Sequence, residues 1–425
     1  MPGRVLGALI LVLLGACSSS TSERQPLRFW AMGREGEVVA QLLPEFERRH
    51  PGVHVEVQQI PWTAAHEKLL MAFAGDALPD VCQLGNTWVP EFTALNALAQ
   101  LDAPVAESAT VNARDYFPGI WDTNIVQGSL RGIPWYVDTR VLFYRSDLLK
   151  KAGFATAPRS WSQWAQALAA IKQEAGVSRY AILLPLNEFE PLLALALQEP
   201  DPLLSNDGGW ARFSSPGFRR ALEFYTQMFR RGWAPPMSDS AISNVWTEFA
   251  RGYFSFYISG PWNIEEFRRR LPPARQGDWM TAPLPGPDGP GVSTAGGSSL
   301  VVFRSARHAR SAWQLIEYLS EPEVQVRFHA LTGNLPPRLS AWRDPRLAGD
   351  PYARAFYEQL QRVRPAPKVP EWERIMHEMQ LTAEEVVTRG MDIDAATKAL
   401  DARVNAILEK RRWMLAREAA PTAAR

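Results

Sequence analysis

Sixteen tryptophans in 425 residues pose the first chemical question. An indole is a large flat apolar surface with one N–H donor, and so many do not all fit inside one core. Trp262 follows a Gly-Pro turn in "ISGPWNIEEF", Ile258 to Phe267, and precedes a helix-like stretch. Trp30, Trp62 and Trp88 each stand at, or within a few residues of, the end of a strand-like run. Indoles placed that way serve a binding surface better than a core. Beside them stand groups that donate and accept hydrogen bonds: Arg34 and Glu35 after the first run, Asn86 and Thr87 after the third. Catalytic patterns are missing. The six His include no His-Glu-x-x-His pair and no Cys/His spacing for zinc, and there is no Gly-x-Ser-x-Gly, P-loop or Gly-x-Gly-x-x-Gly. No metal, cofactor or catalytic residue is expected, and the chain reads as a binding protein rather than an enzyme. A chance pair of positioned carboxylates, for example Glu35 with Asp138, leaves an extracytoplasmic glycoside-hydrolase-like activity as the alternative.

These groups need elements to hold them. "LRFW" is β-prone, and Val38, Val39, Leu42, Leu43 and Phe46 form one helical stripe after it, with a break predicted near Leu43 because of Pro44. Val53, Val55 and Val57 alternate as a strand, residues 64–76 are helical, and "PDVCQL" is a third strand. Strand, helix, strand, helix, strand is the pattern of a parallel sheet covered by helices, an α/β protein, and such sheets bind ligands beyond the carboxyl ends of their strands. Further on, two extended runs, 133–137 and 141–144, flank Asp138-Thr139-Arg140. Ser160 to Gln163 reads as a capping box. At the Gly-Pro-Trp turn, Asn263 is a candidate N-cap paired with Glu266, which would make Trp262 and Phe267 a hydrophobic staple.

Composition limits the partners. With 46 basic and 45 acidic side chains the formal charge is +1, which favours neither nucleic acid nor an anionic surface. Arg4 followed by the apolar run Val5 to Leu14 reads as an export signal, too short to span a bilayer. Leu14-Gly15-Ala16-Cys17 resembles the lipobox of bacterial lipoproteins. That resemblance implies removal of residues 1–16, acylation of Cys17 and a Ser/Thr-rich tether over 17–25; an ordinary cleaved signal is the alternative. Cys82, the other of the two cysteines, reads as a strand core residue. No later apolar run reaches about twenty residues, so the body is expected to be tethered and not to span.

The motifs combine. A lipobox-like start, "FE..HPGV.V" (Phe46 to Val55), "LPDV" (Leu78 to Val81), "GIPW..DTRVLFYR" (Gly132 to Arg145), "GPW" (Gly260 to Trp262) and "NLPPR" (Asn334 to Arg338) follow one another along the chain. The ordered set resembles the extracellular solute-binding proteins of bacterial ABC importers, in the carbohydrate class that includes maltose and trehalose binders. The resemblance implies a two-lobed periplasmic-binding-protein fold of type II, with a ligand cleft between lobes joined by crossing strands. The lobes would be 26–138 plus 293–338 and 139–292 plus 339–425. It implies a monomer on the outer face of the cytoplasmic membrane that closes on a maltose- or trehalose-like sugar and presents it to a membrane permease.

The resemblance implies sugar contacts for Glu35, Asp138, Arg338, Trp262 and Trp372, and the residues' own chemistry and placement add the others. Glu35 with Arg34 would bind hydroxyls, although Glu35 also suits a helix N-terminus. Asn86 and Thr87 would donate and accept, or simply shape a turn. Asp138 would bind sugar at the crossing, or hold a backbone amide there. Gly296 and Gly297 would let backbone approach the ligand, or form a bulge. Arg338 would bind sugar, or bridge the lobes. Trp262 and Trp372 would stack on rings, or pack as structural clips, and Trp30, Trp62 and Trp88 would add aromatic surface.

Overall fold

The strand Leu27–Met32 is an interior strand, flanked on both sides, as its apolar composition requires. The computed structural model describes residues 26–242 and 244–419. Cys17, the signal and the tether lie outside them. The first sheet has five strands in the order Val55–Ile60, Leu27–Met32, Val81–Gly85, Gly297–Val302, Ile133–Val137. The first three are parallel, with Phe29 opposite Val57 on one side and Val81 on the other. Gly297–Val302 runs antiparallel to both of its neighbours. The predicted break appears: a helix over Gly33–Val38 and a 3-10 turn give way to a second helix, Leu43–Arg49, with Pro44 in its first turn. Proline is tolerated there because the N–H it lacks would have no partner.

The second sheet has four strands, ordered Trp279–Ala282, Val141–Arg145, Phe256–Ser259, Ile182–Leu183. Each sheet has its own buried apolar set. Phe29, Phe46, Trp135 and Phe328 belong to the first, and Leu142, Trp164, Phe256 and Trp372 to the second. The lobes meet where the chain passes between sheets. Val137 ends a strand of the first and Val141 begins one of the second. The return segment holds Ser293–Thr294, which pairs in parallel with Val363–Arg364. Ser293 ties the crossing, because its hydroxyl donates to the Arg140 carbonyl at 2.8 Å and accepts the Arg140 N–H at 3.2 Å. The fold is therefore two-lobed α/β with narrow connections, and both sheets turn strand ends toward the space between them. Among the described residues no helix is long and apolar enough to cross a membrane.

Candidate functional site

A cavity of about 790 Å³ lies between the lobes, large enough for a small oligomeric ligand. Ten of the expected residues line it: Arg34, Glu35, Trp62, Asn86, Thr87, Trp88, Asp138, Trp262, Gly296 and Gly297. They come from the strand ends and the crossing, where a parallel sheet leaves room for a ligand.

Glu35 sits in the first turn of the helix Gly33–Val38 and is only 7% exposed. Burial raises its pKa; a backbone hydrogen bond, the Asn334 amide and the Trp62 indole N–H work against that rise. Trp62 opens the helix Trp62–Ala74 directly after Pro61, which sets the entry angle. Its ring lies 5.8 Å from that of Trp88, tilted, so the two make one aromatic wall. Thr87 donates from its hydroxyl to Glu373 at 2.7 Å, joining the end of the third strand to the helix Trp372–Arg389. Burial raises the Glu373 carboxyl, opposed by Thr87 and by the nearby His66. Asn86 has a different task. Its amide donates to the Ala295 carbonyl at 2.6 Å, and its backbone N–H to the Gly297 carbonyl at 3.0 Å. Gly296 and Gly297 are required by backbone. A Cβ on Gly296 would meet the Asp138 carbonyl oxygen at 2.3 Å, and one on Gly297 the Tyr136 carbonyl oxygen at 2.3 Å.

The crossing carries the densest charge. Asp138 lies 3.4 Å from the Arg140 guanidinium, which also bonds Glu190 and sits 4.8 Å from the ring centre of Trp262. Burial pushes the Asp138 carboxyl up to about 7; Arg140 pulls it down, while Glu190 and Glu35 add to the rise. Yet 32% of the side chain surface remains open, so water screens part of that penalty. A sugar hydroxyl donating to this carboxylate favours its charged form. If the expected sugar binds at Asp138, its affinity should therefore fall on acidification from pH 8 to 5. The free protein's own balance has the opposite sign: a carboxyl whose folded pKa exceeds its unfolded value of 3.8 adds stability as pH falls from about 7 toward that value. Calorimetric titration across this range checks the first sign, and a profile unchanged by Asp138→Asn would remove Asp138 as its source.

Three expected residues lie elsewhere. Trp30 is 6% exposed within the sheet, packed with Leu69 and Leu84 and flanked by the cations of Arg28 and Lys68. It stands two residues before its strand ends, so it lies under a helix and away from the opening. Trp372 is 1% exposed in the second core, and its neighbour Glu373 takes the cleft position. Arg338 is buried outside the cleft; its Nε donates to Asp115 at 2.7 Å and its Nη1 to the Ser320 carbonyl. The capping expectation at Gly-Pro-Trp also needs correction. Pro261 caps the helix Trp262–Arg270 without a side-chain bond, so Asn263 is already inside it. Asn263 donates to the Ser259 hydroxyl at 2.6 Å and accepts the Trp246 indole N–H at 3.0 Å, while Glu266 pairs with Arg269 and Arg270. Phe267 goes to the core against Phe143. Trp262 is left facing the cleft without a staple partner.

Arg140, Glu190, Trp246, Asn334 and Glu373 line the cavity without having been singled out. Arg140 was within reach of sequence reasoning, since it lies two residues past Asp138 on the crossing. Asn334 opens the same "NLPPR" loop that ends on Arg338. Glu190 and Trp246 come from the first turns of short helices, Glu190–Leu197 and Val245–Ala250, with no strand end to mark them.

Residues 32–326 match the family model of bacterial extracellular solute-binding proteins. The solved structure of the sugar-binding protein MalE from the phytopathogen Xanthomonas citri is 57% identical to this chain, with a TM-score of 0.89, covering 92% of this chain and 99% of that one. An uncharacterised lipoprotein of Streptomyces antibioticus is 28% identical over 386 residues, 86% of this chain and 84% of its own. The diacetylchitobiose binding protein DasA of Streptomyces coelicolor is 23% identical over 337 residues, 78% and 77% respectively. With a cleft between two α/β lobes and a family match over most of its length, the chain belongs to the bacterial extracellular solute-binding proteins.

Proposed function

We propose that this protein captures an oligosaccharide, of the maltose or trehalose kind, in the interlobe cleft and hands it to the permease of an ABC importer. One observation carries this: indole surfaces and charged hydrogen-bonding groups from both lobes converge on one cavity. A disaccharide has matching chemistry, with apolar C–H patches on its ring faces and hydroxyls around its rim. Charge-assisted hydrogen bonds are stronger than neutral ones, and each left unpaired in a closed cleft costs about 1–3 kcal/mol. Micromolar affinity needs about −8 kcal/mol, which a few such bonds and buried ring area can supply. The likeness to a sugar-binding MalE and to a diacetylchitobiose-binding relative supports the same class.

The lobes would be 26–138 plus 293–338 and 139–292 plus 339–425, turning about the crossing at Asp138–Arg140. Sugar bridging them favours the closed form, a population shift whose size equals the difference in affinity between the two forms. Acylated Cys17 would hold the chain at the outer face of the membrane, and the lipoprotein relative supports that part.

A thermal-shift screen against maltose, trehalose, sucrose and longer glucans tests the class. Ligand at a hundred times its Kd should add about 2.7 kcal/mol of stability and raise Tm visibly. Saturating the best sugar should also shrink the radius of gyration in X-ray scattering. A panel with no stabilising sugar overturns the reading, and hydrolysis products would move it to the glycosidase class.

A further inference from the structure

Three indoles of the cleft rest on bare backbone. A Cβ placed on Gly260 would lie 2.0 Å from Cζ3 of Trp262 and 2.3 Å from its Cη2. One on Gly33 would lie 2.8 Å from Cδ1 of Trp62, and one on Gly85 would lie 3.3 Å from Cδ2 of Trp88. Carbon atoms in good contact are about 3.5–4.0 Å apart. At Gly260 and Gly33, then, no wider residue fits while the ring stays in place, and at Gly85 the fit is tight. The three glycines sit on separate elements. Gly33 opens the helix after the first strand, Gly85 ends the strand Val81–Gly85, and Gly260 follows the strand Phe256–Ser259.

Gly260 is the informative one. Its φ is not in the left-handed region, so conformational freedom does not explain glycine there. The atoms in the way are the outer carbons of an indole, which can swing, and not backbone, which cannot. A methyl group at this position therefore costs the ring its place and not the strand its fold. Trp262 also carries the Arg140 guanidinium at 4.8 Å from its ring centre, so displacing the ring disturbs the charged crossing too. Gly33, by contrast, already calls for glycine through its φ of +50°. We infer that Gly260, with Gly85, is a positioning residue: the bare Cα atoms set how far each indole projects into the cleft, and so which ring thickness the cleft accepts. The consequence for ligands rests on the cleft being the sugar site, but the seating of the ring does not.

The test separates the two. Gly260→Ala is made in full-length mature protein carrying 5-fluorotryptophan, with Trp262→Phe used to assign the Trp262 fluorine resonance. Without any sugar, Gly260→Ala should shift that resonance while Tm stays within about 2 °C, the effect of roughly 1 kcal/mol or less. With the sugar found by screening, Gly260→Ala should weaken binding by up to about tenfold, the worth of a well-placed aromatic contact. In a Trp262→Phe background the same change should cost almost nothing, because the clashing outer carbons are gone. Gly85→Ala, with the looser contact, should have the smaller effect. An unshifted resonance, or equal losses in both backgrounds, overturns the inference. If the wild type binds no sugar, the proposed function fails while the resonance still decides the seat.

Discussion

Trp262→Ala is expected to weaken sugar binding by roughly thirtyfold, about 2 kcal/mol of lost stacking and buried area. The same substitution should lower Tm by only a few degrees. The asymmetry follows from what each neighbour does. Pro261 starts the helix, and Ile264 and Phe267 anchor it in the core, so the helix does not need the indole. The indole instead faces the cavity, held between the bare Cα of Gly260 and the guanidinium of Arg140. A side chain fixed in advance loses little freedom when ligand arrives, so more of its contact energy reaches the complex. Measuring Kd by titration calorimetry and Tm by calorimetric unfolding on the same preparation decides the matter. A large fall in Tm with an unchanged Kd would return Trp262 to a structural role.

Much of the scaffold could be read in the sequence because its signals are local. The alternation of Val55 and Val57 and the helical stripe ending at Phe46 specify a parallel sheet with a covered face. From there, general topology places a ligand beyond the strand ends, which is where Glu35, Asn86, Thr87 and Trp88 line the cavity. For Trp30 and Trp372, the distance along the chain to a cleft-lining residue is only a few positions. Trp30 differs from a rim residue only in lying before Met32, the last residue of its strand. Trp372 and Glu373 are adjacent on one helix, and a step of about 100° decides which faces the core. Asn263 would cap a helix starting two residues later; Pro261 moves the start forward and turns its amide inward. What no local pattern supplied were two partners that the second lobe adds beside Trp262. Glu190 and Trp246 reach the cleft only because the lobes face each other, and that contact is absent from any window of sequence. Arg140 shows the intermediate case, since its place on the crossing was legible but its contact with Trp262 depended on the pairing of Val141 with Ser259 inside the second sheet.

Arg338→Ala is expected to separate stability from binding in the opposite direction. Its guanidinium donates to the Asp115 carboxylate and the Ser320 carbonyl and lies 5.5 Å from the ring centre of Tyr116, all outside the cleft. Around Asp115, burial raises the pKa, but the Ser340 hydroxyl and Arg338 outweigh it and hold the carboxyl below the usual range. A lowered carboxylate contributes stability at neutral pH that is lost as pH falls through the carboxylate range. Removing Arg338 leaves Asp115 and Ser320 short of a donor, and breaking a fully buried pair costs about 3–5 kcal/mol. Asp115 keeps 22% of its side chain exposed and retains Ser340, so roughly 2–3 kcal/mol is the better expectation here. Tm should fall by several degrees, and by less at pH 3 than at pH 7, where the ionised carboxylate no longer has its partner. Arg338→Lys should fall between, because an ammonium cannot reach two acceptors with the planar fork of arginine. The Kd for sugar, measured well below the lowered Tm, should stay within about twofold, since distant sites contribute independently. If binding collapses in Arg338→Ala while Tm holds, the arginine belongs to the sugar site after all, and the loop from Asn334 to Arg338 must move between the open and closed forms to bring it there.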